Sequence, residues 1–235
     1  MTYQSVVSGQ TPKHFWRMQE ASGTVTDIGS SPVHLTAGTA DRSQGSAAYA
    51  GSVCQYFDAV TDGHTGTVSI SSAAYTISGL VKLHTTAPTT FHCTMLSLAK
   101  DATDRQRFYA RRNAAGNKVA YWDNTNTFQE SSFAALSLGA WHHLAVVVNG
   151  TNVKTYVDGA PGSGFTITAP ADTYVTGYVG VSSAATDQMK GWMQDIAVWD
   201  SAKSDADILA QYNAFMGIGG GGVSGWLLGG VAMPA

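Results

Sequence analysis

The chain has 235 residues, of which 12% are charged, and a formal net charge of −3. That balance excludes attraction by charge to nucleic acid or to an anionic membrane surface. No stretch reaches the ~20 apolar residues of a membrane-spanning helix, and residues 1–7 lack the basic start and apolar core of an export signal.

Residues 1–12 form a polar N-terminal arm without clear period. Residues 13–216 then alternate short apolar runs with Gly, Pro, Asn and Asp breakers, the pattern of a sandwich or barrel. Strands are predicted at 14–18, 53–58, 75–83, 92–99, 106–112, 118–122, 142–149, 153–157, 178–182 and 189–199. Cys54 and Cys93 lie inside such runs, which predicts buried thiols. Residues 141–159, WHHLAVVVNGTNVKTYVDG, encode a hairpin. A β-branched run meets Asn149-Gly150, after which Val153, Thr155 and Val157 share a face. Asn-Gly between two such runs predicts a type I′ turn, with φ > 0 at both residues. Ser204 followed by Asp207 has capping-box spacing, which predicts a helix with Ile208, Leu209 and Tyr212 turned to the sandwich. Residues 217–235 carry no charge and eight glycines, yet include Val223, Trp226, Leu227, Leu228 and Val231. Such a group is superfluous in a solvated linker, so this segment is expected to be a Gly-rich apolar tail that docks on another subunit, with Trp226 and Leu227 as anchors.

Several segments share an order with a known family. They are HFWRMQEASGTVTD (14–27), GSVCQYFD (51–58), YTISGLVKL (75–83), the 141–159 hairpin, GWMQDIAVW (191–199) and the short helix at 204–212. Together they resemble the laminin-G-like domains of the concanavalin A-like lectin/glucanase superfamily. One departure is Gly79-Leu80, where the family usually has an aromatic residue. The resemblance implies an all-β, concanavalin A-like jelly-roll β-sandwich with one short C-terminal helix. It also implies one structural calcium ion, with Glu20 and Asp195 as ligands and Asp27 as a further one.

The superfamily includes β-glucanases, whose E-x-D-x-E strand sets two glutamates about 5–5.5 Å apart across the scissile bond. This chain has only Glu20 and Glu130, neither with a carboxylate two or four residues on. There is no G-x-S-x-G elbow and no phosphate loop. His142 and His143 are strand neighbours pointing to opposite faces, so they cannot chelate one metal. The expectation is that the chain is not an enzyme. Glycan recognition calls for aromatic platforms beside amides and carboxylates. The best local match is Tyr121 and Trp122, followed by Asp123, Asn124 and Asn126 in a loop.

The function expected is a virion structural or adhesive module: a phage head decoration, head fibre or tail appendage, binding host-surface glycans. The low charge, the Gly/Ala/Ser/Thr bias and the start methionine without an export signal support that setting. Its partners are then other virion proteins or a second copy, met through the tail. A secreted bacterial carbohydrate-binding lectin module is the alternative, and a glycoside hydrolase or lyase with an unfamiliar site a further one.

Overall fold

The computed structural model describes residues 1–45, 47–71, 73–86, 92–101, 105–113, 116–122, 128–130, 136–168, 173–184 and 187–218. The helices are α1 (Tyr3–Gly9) and α2 (Asp205–Phe215). The strands are β1 (His14–Trp16), β2 (Asp41–Gln44), β3 (Cys54–Phe57), β4 (His64–Ser71), β5 (Ala74–Leu83), β6 (His92–Ala99), β7 (Arg105–Asn113) and β8 (Gly116–Trp122). They continue with β9 (Phe128–Glu130), β10 (Trp141–Asn149), β11 (Asn152–Val157), β12 (Ala160–Pro161), β13 (Phe165–Thr166), β14 (Thr173–Val179) and β15 (Gly191–Trp199).

Two antiparallel sheets face each other. The larger runs β12-β11-β10-β5-β15-β3-β2, with β1 beside β15 and β13 beside β11. The smaller runs β4-β14-β6-β7-β8-β9. Their inner faces enclose one core that includes Trp16, Phe57, Tyr75, Phe108, Tyr121 and Ile196. This is the jelly-roll sandwich expected. No helix among the described residues is long and apolar enough to cross a membrane. Cys54 and Cys93 are buried, and no disulfide joins them.

The larger sheet is also covered outside, which explains its sequence. A strand with one wet face alternates; one buried on both faces is apolar throughout. Leu144 to Val148 are all buried. Leu144, Val146 and Val148 enter the core, while Ala145 and Val147 cluster with Tyr156 of β11 and Ile208 of α2. The residue range 1–12, expected as an arm, holds α1, capped by the Thr2 side chain. Tyr3 and Val7 of this helix pack on Phe15, Leu80, Ala197 and Trp199. Among the described residues there are thus two short α-helices where one was expected. Gly79 explains the departure from the family pattern, because a Cβ there would stand 2.4 Å from Ile196 Cδ1. Ile196 fills the space that a side chain at 79 would need.

Two local expectations need correction. In the hairpin, Asn149 pairs with Asn152, so the turn residues are Gly150 and Thr151. Only Gly150 has φ > 0, at 60°. Glycine at the first central position with φ > 0 there alone is the type II′ pattern, not type I′. Ser204 does cap α2, in a full capping box with Asp207, and Ile208 is buried. Leu209, however, is 46% exposed; Gln211 takes the inward place. The docking tail expected at 217–235 begins with the described Gly217 and Ile218, but Val223, Trp226, Leu227, Leu228 and Val231 lie outside the described residues.

Candidate functional site

Of the residues singled out from the sequence, the structure describes the side chains of Tyr121, Glu20, Asp27 and Asp195. Tyr121 is fully buried, and its hydroxyl stands 2.8 Å from that of Tyr75 in the core. It cannot serve as an exposed platform. Trp122 ends β8, with its side chain outside what the structure describes; Asp123, Asn124 and Asn126 also lie outside the described residues.

The carboxylates assigned to calcium have other partners. Glu20 accepts the main-chain N–H groups of Thr26 at 2.8 Å and Gln19 at 3.1 Å. Asp27 accepts from His14 Nδ1 at 2.7 Å and from the amides of Phe15, Gly29 and Val33. Burial raises its pKa, but these donors prevail and hold it below the ordinary range. Asp27 therefore ties the following loop to β1. Asp195 is buried at a break in β15, where the register with β5 shifts between Gln194 and Ala197. It takes φ 53° and accepts from Tyr49 Oη and, at 3.2 Å, from Gln4 Nε2. Burial pushes its carboxyl up to about 7, against the hydrogen bonds from Tyr49 and Gln4. A calcium ion needs about six to eight oxygens. Here the oxygens face N–H and O–H donors instead, and among the described residues no group of three acidic, His or Cys side chains could hold a metal. The donor set does not fit calcium.

A different constellation stands on the outer face of the larger sheet. The register places Trp141 of β10 opposite Lys82 of β5, Lys82 opposite Trp192 of β15, and Trp192 opposite Tyr56 of β3. These four residues form one row across four strands. Neighbouring strands lie about 4.8 Å apart, so the row extends roughly 14 Å, the reach of two or three sugar rings. The Trp192 and Tyr56 rings are 4.8 Å apart and tilted by 42°. His84, just beyond β5, stacks on Trp192 at 5.3 Å. Lys82 Nζ lies 4.3 Å from the Trp192 ring centre and 5.6 Å from that of Trp141. Such cation–π contacts are worth about 0.5–2 kcal/mol. Burial lowers the Lys82 pKa, with the Cys54 side chain opposing. All five side chains are partly exposed. The row offers aromatic carbon for C–H faces, and an ammonium and an imidazole for oxygen atoms.

Sequence reading missed this row. Three of the four strands show an outward aromatic or cation between two buried residues, as in QYF, VKL and GWM. That alternation marks the face of each strand, but only the pairing register places the residues side by side.

A jelly-roll sandwich of this topology defines a lectin-like class of protein. The family model for the concanavalin A-like lectin/glucanases superfamily matches residues 57–209, and the chain belongs to that family. No curated protein matches the sequence. Among solved structures, the chain is similar to a Trypanosoma rangeli sialidase in complex with the inhibitor DANA. The TM-score is 0.64 at 14% identity, covering 85% of this chain and 32% of that one. It is similar to the botulinum neurotoxin serotype D binding domain at TM-score 0.63 and 11% identity, covering 86% and 51%. A pentraxin from Limulus polyphemus gives 0.50 at 16% identity, covering 61% and 70%. This chain thus spans about a third of the sialidase and half of the toxin domain structure. At these identities the likeness is one of fold.

The comparison corrects one expectation. The chain was expected not to be an enzyme, for want of paired glutamates. Its structural neighbours include sialidases, one of them a covalent intermediate. The sandwich therefore occurs within enzymes whose chemistry does not depend on the glucanase strand motif, and the missing motif does not exclude catalysis.

Proposed function

We propose that this protein is a glycan-binding adhesion module that holds sugar rings on the row Tyr56–Trp192–Lys82–Trp141. The observation that carries this reading is the register, which aligns three aromatic rings and a cation on one partly exposed sheet face. Aromatic rings at recognition surfaces bring large contact area at low conformational cost. Lys82 and His84 donate to hydroxyl or carboxylate oxygens of the sugar. The sialidase resembled here has been captured with sialic acid, and a carboxylated sugar is the ligand that the Lys82 charge favours.

The setting proposed is a virion, as a head decoration, head fibre or tail appendage that meets host-surface glycans. The low charge and the apolar segment holding Trp226 and Leu227 support this reading. In that setting the tail joins the module to other virion proteins or to a second copy. Mass spectrometry of purified virions tests it: absence of the protein from particles refutes the setting and leaves the binding reading standing.

The binding reading has its own test. Trp192→Ala is expected to weaken glycan binding by about 30-fold, or roughly 2 kcal/mol, in titrations against host-surface polysaccharide. Lys82→Met, which keeps the aliphatic stem over the ring, is expected to lose affinity selectively for carboxylated glycans. Unchanged affinity in both variants refutes the row as the site.

A further inference from the structure

We propose that Ser137 is an activated nucleophile, with His142 as its base and Asp158 as the carboxylate that positions that base. Ser137 Oγ stands 2.9 Å from His142 Nε2. His142 Nδ1 stands 2.8 Å from Asp158 Oδ2. The second Asp158 oxygen accepts the His143 main-chain N–H at 2.9 Å. A serine–histidine–carboxylate relay is recognised by geometry and roles, and it recurs on unrelated folds. Each distance here lies within the reach required of a nucleophile, its base and the group that orients the base.

The hairpin builds this arrangement. Ser137 precedes β10, His142 is its second residue, and Asp158 follows β11. The ladder ends at Leu144 opposite Val157. Beyond it the Asp158 N–H donates to His143 O at 2.8 Å, which brings the carboxylate back to the start of β10. Asp158 takes φ 51°, a conformation Asp tolerates better than most residues.

The contacts also set the tautomer. Asp158 can only accept, so His142 Nδ1 carries the proton. Nε2 faces the Ser137 hydroxyl at 2.9 Å and the Ser137 carbonyl oxygen at 3.3 Å, and in the neutral ring it presents its lone pair to the nearer hydroxyl. The His142 side chain is 13% exposed and held, whereas Ser137 is open to solvent.

The chemistry that follows is acyl transfer from a carboxylic ester to water. Ser137 Oγ attacks the ester carbonyl carbon and passes its proton to His142 Nε2. The ester C–O bond breaks and the alcohol leaves with that proton. Water then attacks the acyl carbon, giving a proton to Nε2. The acid departs as the Ser137 Oγ–H bond re-forms. The exposure of Ser137 suits an acyl group carried on a larger molecule. His142 follows Trp141 but points to the opposite face of the sheet, so this inference stands apart from the sugar-binding row.

The full chain is treated with a fluorophosphonate, which joins an activated serine as an Oγ–P bond with loss of fluoride. p-Nitrophenyl acetate serves as the ester probe. One adduct per chain, mapped to Ser137, is expected, with a matching burst of p-nitrophenol. Ser137→Ala, an exposed change that leaves the melting curve unaltered, should lose both. Asp158→Asn keeps the φ preference and the size but removes the charge that positions the ring, and should slow labelling at least tenfold. No adduct, an adduct elsewhere, or equal labelling in Asp158→Asn overturns the proposal.

Discussion

Gly191→Ala is expected to destabilise the protein by about 3–5 kcal/mol, the range of the most severe single substitutions. Gly191 opens β15 with φ 148°, where side chains are rarely accommodated. A Cβ at this position would stand 2.1 Å from Lys82 O and 3.1 Å from both His84 N and Leu83 Cα. These are backbone atoms, so no rotamer change relieves the overlap. Gly191 pairs with Leu83 on one side and Phe57 on the other. The strands that must part are therefore those presenting Lys82, Trp192 and Tyr56. Loss of stability and loss of glycan affinity should appear together. Gly150→Ala is the control, since Gly150 also has positive φ but a Cβ there meets nothing within 4 Å. It should lose only about 1 kcal/mol. Denaturant titration of the three proteins decides the matter. If Gly191→Ala lies within 1 kcal/mol of the parent, the close approach of β15 to β5 is wrong.

Local signals explain which parts of this molecule could be read from its sequence. β5, β6, β10, β11 and β15 were legible because each is an apolar run bounded by breakers, and Ser204 with Asp207 marked the start of α2 within four residues. Helix α1 was not legible: it offers only Tyr3 and Val7 as buried residues, too short a stripe to show a period. β4 escaped notice because His64, Thr65, Thr67 and Ser69 interrupt its apolar residues. Tyr121 and Trp122 illustrate an error of another kind. Adjacent strand residues point to opposite faces, so both could not line one platform, and Tyr121 went to the core. The Ser137–His142–Asp158 relay lies within the hairpin and depends on its register, which an Asn149-Gly150 turn would have displaced. The aromatic row depends on the pairing register of strands distant in the chain, which no local window contains. The same holds for Asp195, whose burial follows from packing by Tyr49 and Gln4 from distant parts of the chain.

Acid should unfold this protein earlier than its carboxylates alone would require. His64 and His143 are both fully buried, and burial lowers each to about 4. His64 receives the Gly38 N–H on Nδ1 and stands 2.5 Å from Gln55 Oε1 through Nε2, with the Arg42 charge opposing protonation and Asp62 favouring it. His143 faces Gln211, with Asp158 as the nearest charge. Above pH ~6.5 both rings are neutral in the folded and unfolded chain, and their contribution to stability is complete. Between about 6.5 and 4 the unfolded chain binds two protons that the native protein refuses, and stability falls. Asp195 acts in the opposite sense. Its native pKa of about 7 lies above the unfolded value of 3.8, so the native protein gains a proton first and stability rises as pH falls through 7. Two protons against one leave a net loss of about 1.4 kcal/mol per pH unit, or roughly 3 kcal/mol by pH 4. Asp195→Asn, which suits φ 53° and the same volume, removes the compensating gain. Its acid limb should be about twice as steep, and the fall in stability that the parent shows as pH rises from about 6.5 to 7 should be absent. Urea unfolding from pH 4 to 8 measures both profiles. A flat parent profile removes the role given to the two histidines, and parallel profiles remove the role given to Asp195.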